Sequence, residues 1–225
     1  MNYNKFLSNP SGIWGAMLTD DIPQTLLVTQ ELEEAVLKAR RVLDVGCACG
    51  QLAFELNQLS TAQWLGLDVN EIAISKAVAR DIPRAEFLVC DFLLPWNGQS
   101  NFDLVVINGV LTCLPSREQR VAILRNAARA VSSAGGMIYV SDFLQTWVES
   151  AHAARYEKGL ALGLERGSFP VEGASGNVLY LAHHFHEDEF VGLASSLELN
   201  VSSFRVSRGI TRSGKPIQTF TALIQ

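Results

Sequence analysis

The chain has 225 residues, a hydrophobic content of 48% and a net charge of −5 at neutral pH. Its length favours one domain with a full-sized core, spanning residues 1–225. An acidic chain lacks the basic field that holds a phosphate backbone, which argues against a nucleic-acid partner. No apolar run is long enough to cross a bilayer and no signal pattern opens the chain, so we expect a cytoplasmic protein that does not bind membranes.

The first forty residues are predicted to form a cover and one helix. Apolar side chains, Trp14 among them, are scattered through residues 1–20 between Ser, Asn, Pro and Gly. This pattern is typical of a segment that folds over another part of the protein. The acids and proline of Asp20–Pro23 stand where helix starts favour them, and they predict a helix that runs to about Lys38.

A short apolar strand with a glycine-bearing turn behind it is the feature around which the chain is organised. Val42–Val45 is predicted to be a strand buried on both faces, and a helical pattern begins at Gln51. Glycines in the turn between them let the backbone bend sharply and bring its N–H groups close to a ligand. Alone, this pattern fits any nucleotide-like ligand or a plain structural turn.

Two further strands each end in an acidic residue. Ala62–Asp68 ends about 20 residues after the glycine turn, where an acid can accept hydrogen bonds from both ribose hydroxyls of a nucleoside. Ala85–Asp91 ends in a carboxylate that could accept from an adenine amino group, and Phe102–Asn108 is a fourth strand. Because ligands of open α/β sheets bind beyond the carboxyl ends of the strands, one pocket could collect all these strand ends. For each acid alone, capping of the next helix is the alternative.

Strands and helices continue to alternate after this point. Asn70 is a plausible cap for a helix that reaches Arg80, and Ser116 begins a capping-box helix that runs to Val131. A fifth strand follows at Met137–Asp142. Such alternation is typical of a parallel sheet with helices on both faces.

Residues 143–182 interrupt the alternation and are predicted to be an insertion. Gln145–Leu164 has a helical pattern, Glu165–Gly176 is predicted to be a glycine-bearing loop, and Asn177–Ala182 is predicted to be extended. Residues 183–225 then complete the sheet with one helix and a terminal hairpin, and their predicted elements are the helix Glu187–Leu197 and the strands Leu199–Val206 and Ile217–Ile224.

In this order, the motifs resemble those of the class I S-adenosylmethionine-dependent methyltransferases. The first motif of that family is similar to Asp44–Gly50, its ribose acid to Asp68, its adenine-side acid to Asp91 and its fourth motif to Asp103–Asn108. The resemblance covers about residues 40–225, and it departs from the family at Ala48, where glycine is usual. It implies an α/β fold with a doubly wound, mostly parallel seven-stranded sheet, an antiparallel C-terminal hairpin strand and a helical lid insertion.

The resemblance also implies S-adenosylmethionine (SAM) as the cofactor, bound by a core of residues 41–142. The predicted cofactor-binding residues follow the strand ends; they are Asp44, Gly46, Cys47, Ala48, Gly50, Asp68, Val69, Asp91, Phe92, Asn108 and Gly109. We expect a small-molecule acceptor, in specialised metabolism, beneath a lid built from residues 1–40 and 143–182. The predicted acceptor-side residues are Trp14, Tyr156, Tyr180, His183 and His184. A protein methyltransferase and an inactive SAM-binding scaffold are the alternatives, and both a monomer and a homodimer stay open.

Three of the four histidines fall within residues 183–186. Imidazole titrates near neutrality, so one of them could act as a general base or bind the acceptor. Side chains alternate along an extended chain, so His183 and His184 should point to opposite sides. We predict His184, which shares a face with Tyr180, as the catalytic residue. Helix capping and core packing are the structural alternatives, and ligands adjacent in sequence argue against a zinc site.

Several related classes are disfavoured by missing residues. The strand at Asn108 lacks the Pro-Pro-aromatic run of methyltransferases that act on amino groups of bases. Asn108 and Asp142 alone do not match the carboxylate cluster of cation-dependent catechol methyltransferases, so no metal is expected. Short-chain dehydrogenases need a Tyr-x-x-x-Lys pair, which Tyr139, Tyr156 and Tyr180 do not supply. Cysteines at Cys47 and Cys49, without a second pair, are interpreted as small residues in a tight turn.

Overall fold

A computed structural model describes residues 3–18, 28–173, 175–210 and 216–225. The strands in chain order are β1 Arg41–Val45, β2 Gln63–Asp68, β3 Ala85–Val89, β4 Leu104–Asn108, β5 Met137–Leu144, β6 Ser168–Glu172, β7 Val178–His183, β8 Val201–Ile210 and β9 Pro216–Ile224. The helices are α1 Asn4–Ser8, α2 Pro10–Gly15, α3 Gln30–Lys38, α4 Gln51–Leu56, α5 Glu71–Val78, α6 Arg117–Ala130, α7 Ser150–Ala161 and α8 Glu187–Ser195, with a 3-10 turn at Leu111–Cys113.

Seven of these strands form one sheet in the order β3-β2-β1-β4-β5-β9-β8. The first five are parallel, and β9 runs antiparallel to both of its neighbours. The predicted seven-stranded, mostly parallel sheet with an antiparallel C-terminal strand is therefore confirmed. Strand order reverses between β1 and β4, and this reversal opens a crevice at the carboxyl ends of the two strands, where α/β sheets bind ligands.

Helices cover both faces of the sheet, as the doubly wound interpretation predicts. Along β1, Val42 packs against one hydrophobic core together with helices α3, α4 and α5. Its neighbour Leu43 packs against a second core together with α6 and α8. This alternation follows from the period of two in a strand, and it explains why the buried strands are apolar on both sides.

The N-terminal segment, residues 3–18, forms two short helices, α1 and α2, rather than an irregular cover. Pro10 stands in the first turn of α2, where its missing N–H leaves no hydrogen bond unmade. The next described helix is α3, which Thr29 caps through a hydrogen bond from the Leu32 N–H. The predicted helix start at Asp20–Pro23 lies outside the described residues.

The insertion contains one helix and a two-stranded hairpin. The predicted loop at Glu165–Gly176 is wrong for Ser168–Glu172, because these residues form β6 and pair antiparallel with β7. Helix α7 lies directly against this strand: a Cβ added at Gly159 would come within 1.8 Å of the Ser168 carbonyl oxygen. The β6–β7 hairpin and α7 therefore form one packed unit.

No helix in the described part of the chain combines the length and the apolar character needed to cross a membrane.

Candidate functional site

The turn after β1 is built around left-handed backbone. Gly46 and Gly50 have φ angles of +73° and +71°, which a side chain would strain. The N–H groups of Gly46 and Cys47 donate to the Leu67 carbonyl at 2.7 and 3.0 Å, so the turn is fastened to the end of β2. Ala48 also has a positive φ of 45°, although it carries a Cβ. The departure from the family's glycine is therefore accommodated in the glycine-like conformation itself.

Asp68 lies at the end of β2 with both carboxylate oxygens oriented by backbone donors. Its Oδ2 accepts from the Ala48 N–H at 2.9 Å and its Oδ1 from the Asn70 N–H at 2.8 Å. Burial raises the pKa of this carboxyl group, while the N–H donors act in the opposite direction. A carboxylate held in this way has lone pairs left over, and these can accept hydrogen bonds from ribose hydroxyls.

Asp44 is a buried acid within β1 whose Oδ2 has no hydrogen-bond partner among the described residues. Burial, and then the charge of Asp68, raise its pKa to about 7. A buried carboxylate oxygen without a partner is costly, and a bound cationic group would satisfy it. The buried carboxyl group at this strand end thus fits SAM, because the methionine end of SAM carries an ammonium group that can donate to it.

Asp91 follows β3 and borders a surface pocket of about 320 Å³, together with residues 8–11 of the N-terminal segment and the first turns of α6. Its Oδ1 accepts from the Leu93 N–H at 2.9 Å. The neighbouring Phe92 is 4% exposed and packs against Trp96 with ring centroids 5.2 Å apart. The Phe92 side chain is therefore a core side chain, and only its backbone remains for the predicted cofactor contact.

The other predicted cofactor residues follow the ends of β2 and β4 or lie in the glycine turn. Gly109 has a φ of +69° and donates its N–H to the Ser141 carbonyl at 2.8 Å, directly after Asn108 at the end of β4. A Cβ on Gly15 of the N-terminal segment would lie 3.3 Å from the Val69 carbonyl oxygen. Burial raises the pKa of the Cys47 thiol well above its usual range, so it is not a nucleophile at neutral pH.

Trp14 and Tyr180 are brought together over this crevice. Their ring centroids are 4.6 Å apart, and the Trp14 indole N–H donates to the Cys113 carbonyl at 3.2 Å. The cluster around them includes Met17 of the N-terminal segment and Ala48 of the glycine turn. Tyr180 also contacts the aromatic cluster beneath α7, so this side chain joins the N-terminal segment to the insertion.

Tyr156 and His184 form an interior pair. The Tyr156 hydroxyl lies 2.8 Å from Nδ1 of His184 and accepts from the Thr146 N–H at 3.2 Å. Burial, followed by the charges of His152 and His183, lowers the pKa of His184 well below its usual range. His184 is therefore neutral at physiological pH, and forming its imidazolium is unfavourable.

His183 points to the opposite side of β7, as predicted, into a polar network. Its Nδ1 lies 2.8 Å from the Ser168 hydroxyl and its Nε2 lies 2.8 Å from Oε1 of Glu189. Serine, histidine and glutamate in this order resemble a nucleophile triad, but Ser168 is 1% exposed and cannot meet a substrate. The arrangement therefore holds the insertion to α8 and is not an active site.

Sequence reasoning missed Arg120, which is fully buried and organises this network. Its guanidinium contacts Glu165 at 2.5 Å and Glu189 at 3.3 Å, and it donates to the Leu114 carbonyl at 2.8 Å. Glu165, His183 and Glu189 present ligand atoms within 4.8 Å of one another, as a metal site would. The guanidinium already supplies the positive charge there.

Asp142 was considered before only as a possible metal ligand, and the structure gives it another role. Its Oδ2 accepts from the Thr112 N–H and its Oδ1 from the Phe143 N–H, both at 2.9 Å. Burial raises its pKa to about 7. The acid therefore holds the 3-10 turn whose Cys113 carbonyl binds Trp14. Its place near the carboxyl end of β5 was the signal for this function.

Comparison with known proteins agrees with this geometry. A family model described as a methyltransferase domain matches residues 37–168, more than half of the chain. The chain is 31% identical to ribosomal protein L11 methyltransferase of Cupriavidus pinatubonensis over 137 residues, 60% of this chain and 43% of that protein. It thus spans less than half the length of this curated relative.

Solved structures share the whole fold. A SAM-dependent methyltransferase of Methanosarcina mazei superimposes with a TM-score of 0.82 and 28% identity, over 89% of this chain and 98% of that one. The 1,6-didemethyltoxoflavin-N1-methyltransferase of Burkholderia thailandensis gives a TM-score of 0.60 at 15% identity, over 98% of this chain and 78% of that one, which is a likeness of fold. Sequence motifs, sheet order, site geometry and family match agree, and the chain belongs to the class I SAM-dependent methyltransferases, with SAM as its methyl donor.

Proposed function

We propose that the enzyme transfers the methyl group of SAM to a small molecule bound beneath Trp14 and Tyr180. The contact between these two rings, at 4.6 Å, is the observation that carries the proposal. It joins the N-terminal segment to the hairpin of the insertion and covers the carboxyl ends of the strands. A covered site of this kind suits a small acceptor better than a protein chain, which needs an open approach. The toxoflavin precursor methylated by the Burkholderia enzyme is an acceptor of this class.

In the proposed site, each end of the cofactor has a partner. Asp68 accepts from the ribose hydroxyls, Asp91 lies on the adenine side, and the turn with Asp44 receives the methionine end. Bound SAM supplies the electrophilic methyl group on its sulfonium. The protein contributes position and exclusion of water: the two oriented carboxylates fix the nucleoside, and the aromatic pair covers the reacting groups.

His184 remains our candidate for the general base. A base must be unprotonated before it acts, and the lowered pKa of His184 meets this condition. The same shift makes it a weak proton acceptor, and its Nδ1 already bonds Tyr156. We therefore expect His184→Ala to lower the maximal rate by about 10²-fold, at the low end of the range for general bases. His183→Ala should affect the rate much less, because its partners lie in the network of Arg120.

A protein methyltransferase is the second candidate, favoured by the match to the L11 enzymes. An inactive SAM-binding scaffold is the third. The same proposal includes a cytoplasmic location and a role in specialised metabolism, both of which are inferred from the sequence. Both a monomer and a homodimer are compatible with it.

The test uses SAM with an isotope-labelled methyl group. The enzyme is incubated with a cell extract that has been separated into a dialysable fraction and a protein fraction, the latter supplemented with ribosomal protein L11. Label in the dialysable fraction is expected for wild type and should be reduced in Asp68→Ala when SAM is below saturation. Label that follows protein would establish the second candidate. Cofactor binding by calorimetry with no label in either fraction would establish the scaffold.

A further inference from the structure

The Asn70 side chain is 1% exposed, and every polar atom on it has a partner. Its Oδ1 accepts from the Ala73 N–H at 2.9 Å and caps α5, as predicted. Its Nδ2 donates to the carbonyls of Trp14 and Met17, at 2.9 and 2.8 Å. A single side chain thus joins the helix after β2 to the N-terminal segment.

Capping alone does not explain an asparagine at this position. Ser, Asp and Asn cap helices about equally well, because the cap needs only an acceptor oxygen. The amide adds two donors, and both of them meet carbonyls at the end of α2. This helix has six residues, too few to be stable alone. The Trp14 carbonyl also accepts from the Met17 N–H at 3.2 Å, and the Asn70 amide adds hydrogen bonds from outside the segment to the carbonyls of both Trp14 and Met17.

Other side-chain hydrogen bonds also attach the N-terminal segment to the core. The Trp14 indole donates to the Cys113 carbonyl at 3.2 Å, and the Gln119 amide donates to the Leu7 carbonyl at 2.7 Å. In the described contacts, neither Trp14 nor Gln119 donates its own backbone N–H to a predicted cofactor-binding residue. Asn70 does, because its N–H donates to Oδ1 of Asp68 at 2.8 Å.

A closed ring of contacts results around the ribose acid. Asp68 bonds the backbone of Asn70 with one oxygen and the backbone of Ala48 with the other. Ala48 packs in the same cluster as Met17 and Trp14, to which the Asn70 amide is bound. If the Asp68 carboxylate shifts toward ribose hydroxyls, Asn70 must shift with it. The hydrogen bonds from Asn70 to the N-terminal segment then either move too or resist the shift.

We propose that Asn70 is a positioning residue that couples occupation of the ribose site to the docking of residues 3–18. The inference rests on the proposed function, in which Asp68 binds the ribose. With the cofactor bound, Asp68 and Asn70 are fixed together, and the Asn70 amide holds Trp14 against Tyr180. The acceptor site is then complete only after the cofactor has bound, so the two substrates bind in that order.

Two substitutions separate the amide donors from the cap. Asn70→Asp and Asn70→Ser both retain an acceptor for the Ala73 N–H, and both lose the donors to Trp14 and Met17. The serine variant avoids a new buried charge and keeps the test usable if the aspartate variant does not fold. Asn57→Ser is the matched control: Asn57 is also buried, and its Oδ1 accepts from the Arg84 guanidinium at 3.2 Å, a contact with neither the N-terminal segment nor a predicted cofactor-binding residue.

Hydrogen exchange of residues 3–18 is measured by mass spectrometry with and without S-adenosylhomocysteine, and calorimetry gives its affinity. We expect the ligand to slow exchange of this segment in wild type and in Asn57→Ser. In both Asn70 variants, affinity should fall about tenfold, and saturating ligand should leave exchange of the segment unchanged. Ligand-dependent protection in Asn70→Ser equal to wild type would overturn the coupling, as would ligand binding to wild type without any protection of the segment. Wild type that does not bind the ligand would overturn the coupling and, separately, the cofactor site of the proposed function.

Discussion

Two segments cover the carboxyl edge of the sheet, and they are attached in different ways. The N-terminal segment is held by side-chain hydrogen bonds to its backbone carbonyls and by the contact of Trp14 with Tyr180. The insertion is built from a strand pair packed against α7, and the buried network of Arg120 and His183 attaches it through Glu165 and Ser168. Apolar composition alone led to the same lid prediction for both.

Because of this difference, the N-terminal segment can detach without disturbing the core, whereas the insertion cannot. Opening the insertion would separate a buried guanidinium from its carboxylates, which is strongly unfavourable. Opening the N-terminal segment breaks a few hydrogen bonds and one aromatic contact, and it exposes the buried side chains of Phe6 and Met17. This cost is smaller than that of separating a buried guanidinium from its carboxylates. We therefore expect the N-terminal segment to be the moving cover and the insertion to be a fixed wall.

The largest effect is expected for Arg120→Ala. This change leaves Glu165 and Glu189 without their cation and the Leu114 carbonyl without its donor, so the free energy of unfolding should fall by about 3 kcal/mol in urea titrations. Lys158→Ala breaks the exposed pair with Glu172 in the same insertion and should have little effect. Equal losses in the two variants would mean that the insertion is not anchored through Arg120.

Asp68→Ala is expected to weaken cofactor binding and leave the insertion intact. Loss of a charge-assisted contact should reduce the binding free energy of S-adenosylhomocysteine by about 1.5–3 kcal/mol in calorimetry. Asp103→Ala is the control, since Asp103 also accepts from two backbone N–H groups, those of Arg40 and Arg41, at 2.9 and 3.0 Å. A similar loss of affinity in both variants would point to general damage to the sheet and contradict the ribose assignment.

Asp44→Asn should change the pH dependence of stability. Burial raises the pKa of Asp44 from 3.8 to about 7, so the folded protein keeps a proton that the unfolded chain releases above pH 3.8. Stability is fully present below that pH and falls as the pH rises toward 7. Without cofactor, the unfolding free energy of wild type should fall by about 1 kcal/mol per pH unit relative to the variant, in denaturation at several pH values.

Asp142, whose pKa is also about 7, is present in both proteins and cancels from this comparison. Parallel stability profiles for wild type and Asp44→Asn would show that Asp44 is ionised when the site is empty.

The smallest effect on global stability is expected for Trp14→Ala, and Trp147 provides the matched tryptophan in the insertion. Trp147 packs on Tyr156 with centroids 4.9 Å apart, and its N–H donates to Gln145 at 2.8 Å. Trp147→Ala should lower the unfolding free energy by about 2 kcal/mol, because the insertion unfolds with the core. Trp14→Ala should lower it by less than about 1 kcal/mol, because the N-terminal segment opens locally. Larger loss for Trp14 in urea titrations would reverse the comparison.

The sheet core was predictable because its signals are local. Apolar runs mark the five parallel strands, and the caps at Asn70 and Ser116 set the starts of α5 and α6 as predicted. The rule for open sheets alone predicts that the acids at the strand ends share one site. Their specific partners, such as the Ala48 N–H for Asp68, follow from the backbone path of the turn.

The rest depended on contacts distant in sequence. Strand β6 contains Pro170 and lacks a strong strand pattern, and it forms because β7 offers a partner. Arg120 lies in a helix that reads as amphipathic and polar, and its burial follows from carboxylates 45 and 69 residues away. Asn70 was identified as a cap, but its amide donors had no visible partner until α2 was in place.

The position of β9 affects how the protein can fold. This strand lies inside the sheet, paired with β5 on one side and β8 on the other. The five parallel strands can assemble from successive strand–helix units, whereas β8 joins them only through β9. The β8–β9 hairpin must therefore dock as a unit, after a loop that contains the whole insertion has closed. Closing such a loop carries an entropic penalty before any contact compensates it, so completion of the sheet is a late and slow event in folding.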